Sequence, residues 1–297
     1  MFPLRLQPRS YGADRMHSSL RHLDHRPWPL PAGRWMWRQT WKQLAFIHYR
    51  IEAAALRALI PDELEIHEFE GSAWIGVVPF LMADVSIRDL PSIVPMRRFP
   101  ELNMRTYVQK GGRPGVWFFS LDADCWPIVL GGRLIYGLPY HKAQMAHVPE
   151  GNVIEFESVR RNGGVRFRSS FRPVGDVFHA SAESFEHWAT ERYCLYSKDH
   201  RGLLSVDVHH QPWPLQKASV VVHENTLLEA AGLNLQEQEA VCHFSTGVEV
   251  VSFSSKRCRS SRTNPLKRTP LISSKLSLGS FHAHEREIDF EDLPRGA

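Results

Sequence analysis

Several features that mark common protein classes are scarce in this chain or missing from it. Cysteine occurs four times in 297 residues, and no two cysteines stand at Cys-x-x-Cys spacing, which argues against a zinc ribbon and a redox dithiol. Free thiols in a chain of this length favour a reducing compartment. No apolar run approaches the roughly 20 residues that span a bilayer, and the N-terminus lacks the apolar core of a secretory signal. We therefore expect a cytoplasmic soluble protein without a membrane partner.

Motifs of several enzyme classes are missing as well. The chain contains no Gly-x-Ser-x-Gly elbow, no P-loop and no His-Glu-x-x-His motif. The adjacent histidines His209 and His210 would point to opposite faces of a strand, so they cannot readily share one metal ion. The net charge of +4 is small, and much of the excess lies at the two ends of the chain, which does not favour nucleic-acid binding. The sequence predicts no metal, no cofactor and no nucleic-acid partner.

The middle of the chain has the pattern of a strand-rich domain. A hydrophobic content of 43% is sufficient for one large domain with a substantial core. Short apolar or alternating runs, such as 116–121, 153–158 and 165–171, are separated by Gly, Pro and Asp, and no strand–helix–strand alternation is evident. The pattern predicts an α+β fold that is mainly antiparallel β, with a few short helices. One predicted helix covers 184–193, with Ser184 as its N-cap.

Composition divides the chain into three parts. Residues 1–34 are rich in Arg, His, Pro and Ser, and their Pro-x-Pro pairs favour an extended N-terminal arm that Trp28 would attach to the folded body. Residues 35–253 form the predicted domain. Residues 254–297 are first rich in Ser, Arg and Lys and then acidic, so we expect a disordered tail.

One segment, Tyr49 to His67, indicates the fold more closely. Its Ala- and Leu-rich centre favours a short helix, and Pro61, which lacks an N–H, is expected to end that helix. Leu64 and Ile66 then alternate with polar residues, as in a half-buried strand. The order Tyr-Arg, Leu-Arg helix, proline and Leu-Glu-Ile resembles the same region of the acetoacetate decarboxylase family.

Longer motifs extend this resemblance to residues 25–253. The motifs at 74–80, 99–108, 115–123 and 209–215 resemble those of the YqjF-like family of uncharacterised bacterial proteins, a remote branch of the acetoacetate decarboxylase-like superfamily. The resemblance implies a cone-shaped barrel of antiparallel strands around a central pocket, and it leaves a homo-oligomer open. The YqjF-like family itself implies no substrate.

The resemblance also raises the question of a catalytic lysine. The decarboxylases use a lysine amine that forms a Schiff base with a β-keto acid, and this amine must be neutral to attack, which a neighbouring cation or a dry pocket favours by lowering its pKa. In this chain the position after Pro139 holds Tyr140 and the next holds His141, so the expected lysine pair is missing. Lys142 lies two residues beyond Tyr140 and would share its face in a regular strand. It is either a substitute amine or a solvated lysine at a strand edge.

Other candidate site residues lie in the 99–108 motif and before Pro139. Glu101 matches an active-site acid of the decarboxylases, and burial among aromatic residues would raise its pKa and suit it to acid/base chemistry. Asn103 and Arg105 share a face of the same predicted strand, where Arg105 could bind a carboxylate in bidentate fashion. Arg133 belongs to the Gly-Arg…Pro stretch of the resemblance and is expected to help orient a ligand. The alternatives are a structural ion pair of Glu101 with Arg105 or Arg133, and a solvated polar strand face.

These residues predict a small-molecule-binding protein whose ligand is anionic. Glu101 would act as acid or base on a small organic acid, while Tyr140, Asn103, Arg105 and Arg133 would orient it. A non-catalytic binding or structural barrel is the alternative, and a Schiff-base decarboxylase using Lys142 is a third hypothesis. An open cavity around Glu101 would favour the first hypothesis over a filled scaffold.

Overall fold

The computed structural model describes residues 17–161, 164–235 and 238–258, and its framework is one β-sheet of 13 strands. The strands are β1 Trp37–Ile51, β2 Glu65–Ile66, β3 Ala73–Ile87, β4 Arg98–Lys110, β5 Arg113–Ala123, β6 Tyr140–Glu150, β7 Val153–Arg160, β8 Arg166–Phe178, β9 Cys194–Asp199, β10 Gly202–His210, β11 Leu215–Asn225, β12 Val241–Ser252 and β13 Lys256–Arg257. The helices are α1 Ala53–Arg57, α2 Trp126–Tyr136, α3 Phe185–Thr190 and α4 Leu227–Ala230. In these ranges no helix has the length and apolar character needed to cross a bilayer.

The sheet curves so far that strands distant from each other in its order also pair. The strand order is β13-β10-β9-β5-β6-β7-β8-β11-β12-β1-β3-β4-β2, and the further pairings β10–β12 and β4–β5 close it. The result is a cone-like sheet rather than a strict barrel. Most pairs are antiparallel, so the predicted α+β class with mainly antiparallel strands and a few short helices is confirmed.

Two strands carry the branches of this sheet. One edge of β5 pairs with β4, while its other edge pairs with β9 at Val116 and Trp117 and with β6 from Leu121 to Ala123. The edge of β12 that faces away from β1 is shared in the same way by β11 and β10. The strands β12, β1, β3, β4 and β5 therefore form a common wall. Its two outer strands, β12 and β5, are connected both through β9 and β10 and through β6, β7, β8 and β11.

Strand β4 lies in the middle of this wall and is buried on both faces. Leu102, Met104 and Val108 pack into one hydrophobic cluster, with phenylalanines from β7 and β8. Glu101 and Asn103 alternate with them, and their side chains face the opposite side. The predicted division of this strand into an apolar face and a polar face is therefore observed, but water covers neither face.

One local prediction about the strands is wrong. Helix α2 connects β5 to β6, and these two strands are parallel, with Leu121 opposite Tyr140. This is a strand–helix–strand unit, which the sequence pattern did not indicate. The reason is local, because Gly131 and Gly132 lie inside the helix, where glycine is unfavourable, and apolar residues surround them without clear periodicity. The signals that remain are Pro127 in the first turn and Gly137 after the last, at φ +61°.

The predictions around residues 49–67 and 184–193 agree closely with the structure. Strand β1, helix α1 and strand β2 follow in the predicted order, although α1 ends at Arg57, before Pro61. Leu64 is fully buried. The Ser184 hydroxyl accepts a hydrogen bond from the His187 N–H at 3.1 Å and caps α3, which ends three residues earlier than predicted.

The described part of the N-terminal arm is attached to β10. Arg26 donates to the Val208 carbonyl at 2.9 Å, and the Trp28 indole donates to Asp207 at 3.4 Å. At the other end, β13 pairs with β10 through Arg257 and Leu204, so the ordered sheet continues beyond the predicted limit at residue 253. The remainder of the predicted arm and tail lies outside the described residues.

Candidate functional site

A cavity of about 150 Å³ lies between the common wall and the β9–β10 pair. Most of its lining is apolar, and the aromatic side chains among it are Trp37, Trp41, Phe46, Phe80, Phe118, Tyr136, Tyr140 and Trp213. The only Asp, Glu, Lys or Arg side chains of the described residues that line it are Glu101, Arg105 and Arg192. A largely apolar hollow with a few polar groups is the usual form of a small-molecule site.

Glu101 and Tyr140 meet inside this cavity. The Tyr140 hydroxyl donates a hydrogen bond to Glu101 Oε2 at 3.0 Å, and both residues are buried, with 3% of Glu101 and 7% of Tyr140 exposed. Burial raises the pKa of Glu101 to about 8, because a carboxylate loses its hydration there, while the Tyr140 hydrogen bond lowers it in part. Glu101 is therefore mainly protonated at neutral pH and close to the range in which it exchanges its proton.

Helix α2 determines where the Tyr140 ring lies. A Cβ atom at Gly132 would come within 2.4 Å of Tyr140 Cδ2, so the ring packs directly on the helix backbone at a position where only glycine fits. Arg133, the next residue of the helix, donates from Nε to the Tyr140 carbonyl at 2.6 Å and holds the start of β6. Two residues of α2 thus position the phenol against Glu101.

Two buried arginines lie at one end of the cavity. The Arg105 guanidinium lies 5.7 Å from the centre of the Phe46 ring and 5.6 Å from that of Tyr107, while the Arg192 guanidinium lies 5.0 Å from the Tyr107 ring. Arg105 donates from Nη2 to the Ala189 carbonyl at 3.3 Å. Its Nε, like Nε and Nη2 of Arg192, has no hydrogen-bond partner among the described residues.

The charges of this pair are not neutralised by the described part of the protein. No carboxylate in the described ranges forms an ion pair with either arginine, and the partner of Arg192 Nη1 is His67 Nδ1 at 2.9 Å. Burial and the neighbouring Arg192 lower the pKa of His67 to about 4, so this imidazole is neutral at pH 7. Burial lowers the pKa of Arg192 to about 9, which still leaves it charged. A buried cation without a counter-ion is costly, and the end of the cavity formed by Arg105 and Arg192 carries such an unbalanced positive charge.

The structure brings four of the six predicted site residues to the cavity and leaves two outside. Glu101, Asn103, Arg105 and Tyr140 line it, and no ion pair joins Glu101 to an arginine within the described ranges. Lys142 does not line it, because its amine forms an ion pair with Asp124 at the partly exposed outer side of β6. No lysine of the described residues lines the cavity, which removes the basis for a Schiff base on Lys142. Arg133 is exposed, does not line the cavity and contacts the Tyr140 backbone.

Two further buried polar residues, Asp122 and His209, have structural contacts. Asp122 is buried and accepts hydrogen bonds from Arg160 at 2.8 Å and Ser158 at 3.2 Å. His209 is bonded to the Ser19 carbonyl at 2.6 Å, whereas His210 lines the cavity, so the adjacent histidines do face opposite sides. Among the described residues no three His, Cys, Asp or Glu side chains are grouped to hold a metal ion.

Arg192 and Trp213 line the cavity, but the sequence did not predict them as site residues. Arg192 lies shortly after the end of α3. The predicted helix extended to residue 193, so the sequence showed Arg192 only as one of several charged residues near a helix end. Trp213 stacks on Trp41 with ring centres 5.9 Å apart and meets Phe46 edge-on at 5.0 Å. No local signal distinguishes Arg192 from a surface arginine, because its role depends on contacts with β4.

Fold and cavity together define a strand-rich α+β protein with a largely apolar cavity inside a cone-like sheet, and comparison with known proteins gives its family. Residues 38–249 match the family DUF2071, described as "Uncharacterized conserved protein (COG2071)". The chain is 40% identical over 223 residues to "Uncharacterized protein YqjF" of Bacillus subtilis (strain 168), a match that covers 75% of this chain and 92% of the relative. The chain therefore belongs to the DUF2071 family, and the predicted resemblance to the YqjF-like group is confirmed.

Solved structures support the fold. The acetoacetate decarboxylase of Legionella pneumophila subsp. pneumophila str. Philadelphia 1 superposes with a TM-score of 0.54 at 15% identity, covering 84% of this chain and 98% of that protein. The enduracididine biosynthesis enzyme MppR, complexed with pyruvate, gives a TM-score of 0.55 at 12% identity, over 78% of this chain and 92% of MppR. At such identities the likeness establishes the acetoacetate decarboxylase-like fold and nothing about the substrate of this chain.

Proposed function

We propose that this protein binds a small organic acid in the cavity and transfers protons to and from it through Glu101. The observation that carries the proposal is the meeting of Glu101 and Tyr140 in one cavity whose arginine end is positively charged. The anionic group of the ligand contacts Arg105 and Arg192, whose free N–H groups match the oxygens of a carboxylate. The cytoplasm is the compartment that the composition predicts for this activity.

Glu101 has the properties of an acid/base group for a carbonyl compound. With a pKa of about 8, its protonated form donates to a carbonyl oxygen, and its ionised form removes a proton from the adjacent carbon. Tyr140 holds the carboxyl group in place and partly offsets the effect of burial on its pKa. The similarly folded MppR was solved with pyruvate, a 2-oxo acid, which makes oxo acids the first compounds to test.

The test is the exchange of carbon-bound hydrogen for deuterium in straight-chain 2-oxo acids, followed by proton NMR in D₂O. The protein should accelerate exchange at C3, Glu101→Gln should abolish the acceleration, and Tyr140→Phe should alter its pH dependence. Lys142→Met is the matched control and should exchange like the wild type, because its amine lies outside the cavity. Equal exchange by wild type and Glu101→Gln would refute the catalytic role.

A non-catalytic binding protein is the second candidate. The observation that favours it is the lack of a lysine on the cavity wall within the described ranges, since the Schiff-base chemistry of the decarboxylases then has no nucleophile. Binding of an organic acid without any hydrogen exchange would select this candidate.

A further inference from the structure

The shape of the cavity restricts the size and form of the ligand, beyond what the charge of the arginine end requires. On β1 the lining residues extend from Trp37 to Phe46. At ~3.3 Å per residue such a stretch of strand is up to about 30 Å long. The cavity volume is about 150 Å³ and its lining follows this stretch of β1, so the space is longer than it is wide.

A bulge in β1 allows the lining to continue over this length. Gln43 has φ +50°, and the pairing register between β1 and β3 shifts between Lys42 and Ile47. Trp41 and Leu44 consequently both face the cavity, although they are three residues apart and would point to opposite faces in a regular strand. Gly247 on the neighbouring β12 is required there, because a Cβ atom would lie 2.0 Å from the Trp41 carbonyl.

The carboxyl group of Glu101 and the guanidinium groups of Arg105 and Arg192 are confined to one part of the elongated space. The register of β3 and β4 places Arg105 opposite Gly76 and Glu101 opposite Phe80, so both lie on the stretch of wall beside Phe46 and Trp41. Beyond Glu101, the walls are formed mainly by Trp37, Met82, Val85, Ile128, Gly131 and Tyr136, and the polar side chains of Gln39 and Ser252 also line this stretch. This distant part is lined by no charged side chain of the described residues.

From this arrangement we infer that the ligand is a carboxylic acid with an unbranched apolar chain of several carbons, rather than a three- or four-carbon acid. The carboxylate lies at Arg105 and Arg192, the 2-oxo group and C3 approach Glu101, and the chain extends along β1 towards Trp37. A short acid would leave the distant apolar part empty and gain nothing from it, whereas each buried methylene adds hydrophobic stabilisation. This inference rests on the proposed function, because it concerns the ligand of the same cavity.

The experiment measures the dissociation constants of straight-chain carboxylates from acetate to decanoate by isothermal titration calorimetry. All are kept below their micelle concentrations, and quenching of tryptophan fluorescence serves as a second readout, since Trp41 and Trp213 lie on the wall. The dissociation constant should fall roughly fourfold per added methylene until the cavity is full, and then level off. A dissociation constant that does not change with chain length, or no binding at all, would overturn the inference.

Three variants and one ligand series distinguish how the arginine end and the distant end of the cavity each contribute to binding. Arg192→Met should weaken every acid by a similar factor, while Arg192→Lys should recover part of the loss. Gly131→Leu should shorten the chain length at which the affinity levels off, since a Cβ atom at Gly131 meets no atom within 4 Å. Circular dichroism and thermal melting confirm that each variant is folded.

The primary alcohols of equal chain length test the carboxylate separately, and they should bind at least about tenfold more weakly than the acids, as expected when a charged hydrogen-bonding group is lost. Alcohols that bind as tightly as the acids would refute the assignment of the arginine end. Hydrogen exchange in short 2-oxo acids without any dependence of affinity on chain length would refute only this inference and leave the proposed function standing. If affinity depends on chain length but no hydrogen exchange occurs, the inference is supported and the non-catalytic candidate is selected.

Discussion

Replacement of Glu101 by glutamine should remove a specific pH dependence from the stability of the protein. The carboxyl group has an ordinary pKa of 4.5, and burial raises its pKa in the folded state to about 8. Between these two values the folded protein holds a proton that the unfolded chain releases, so the free energy of unfolding must fall as the pH rises. Glutamine has nearly the same shape and does not titrate in this range, so the variant lacks this contribution.

The magnitude follows from the two pKa values. A group of this kind changes the free energy of unfolding by about 1.4 kcal/mol per pH unit inside the window. Between about pH 5.5 and 7.5 the stability of the wild type should therefore fall by about 2.5 kcal/mol relative to Glu101→Gln, because the slope weakens close to the upper pKa. Well above pH 8 the carboxyl group is ionised in both the folded and the unfolded wild type, and the difference between the two proteins becomes constant.

Urea denaturation at half-unit pH steps, without added ligand, measures this difference directly. Every other titrating group is common to both proteins, so subtracting the two curves isolates Glu101. If the difference between variant and wild type stays flat across this pH range, the carboxyl group is ionised at its ordinary pKa, and the reasoning from burial is refuted.

Three further predictions concern the surroundings of this acid. Gly132→Ala should destabilise the protein by about 1–3 kcal/mol, because its Cβ atom overlaps the Tyr140 ring, whereas Gly131→Ala should be neutral or stabilise it by up to about 1 kcal/mol in urea denaturation. Tyr140→Phe removes a hydrogen bond that lowers the pKa of Glu101, so the pH midpoint of hydrogen exchange should rise; an unchanged midpoint would contradict that contact. Lys142→Met breaks a partly exposed ion pair and should cost less than about 1 kcal/mol in thermal or urea unfolding, without a change in acid binding.

The alternation of residues was sufficient to predict much of the wall around the site. The polar face of β4 with Glu101, Asn103 and Arg105 follows from a period of two, which depends only on neighbouring residues. The cap at Ser184 follows in the same way from local chemistry. The resemblance to a known family then implied that such strands form a cone-shaped antiparallel structure around a central pocket.

The crossover between β5 and β6 could not be predicted in this way. Gly131 and Gly132 weaken the helical signal of α2, yet Gly132 is required because the Tyr140 ring lies on the helix backbone. The sequence alone also left open whether Lys142 is a substitute amine or a solvated lysine at a strand edge. Its position two residues from Tyr140 predicts a shared face in a regular strand, but the cavity ends before it and the lysine pairs with Asp124 outside.

Local periodicity and the order of residues were enough to specify the strand-rich class, the family, and the candidates Glu101 and Tyr140. Contacts between distant segments were needed to establish that Glu101 and Tyr140 touch, that Arg192 joins Arg105, and that Lys142 stays outside the cavity. These contacts exist because β5 pairs with both β6 and β9, which brings separate parts of the chain together and excludes water between them. The pKa of a buried carboxyl group and the need of a buried cation for a counter-ion depend on that exclusion of water, which no single stretch of sequence encodes.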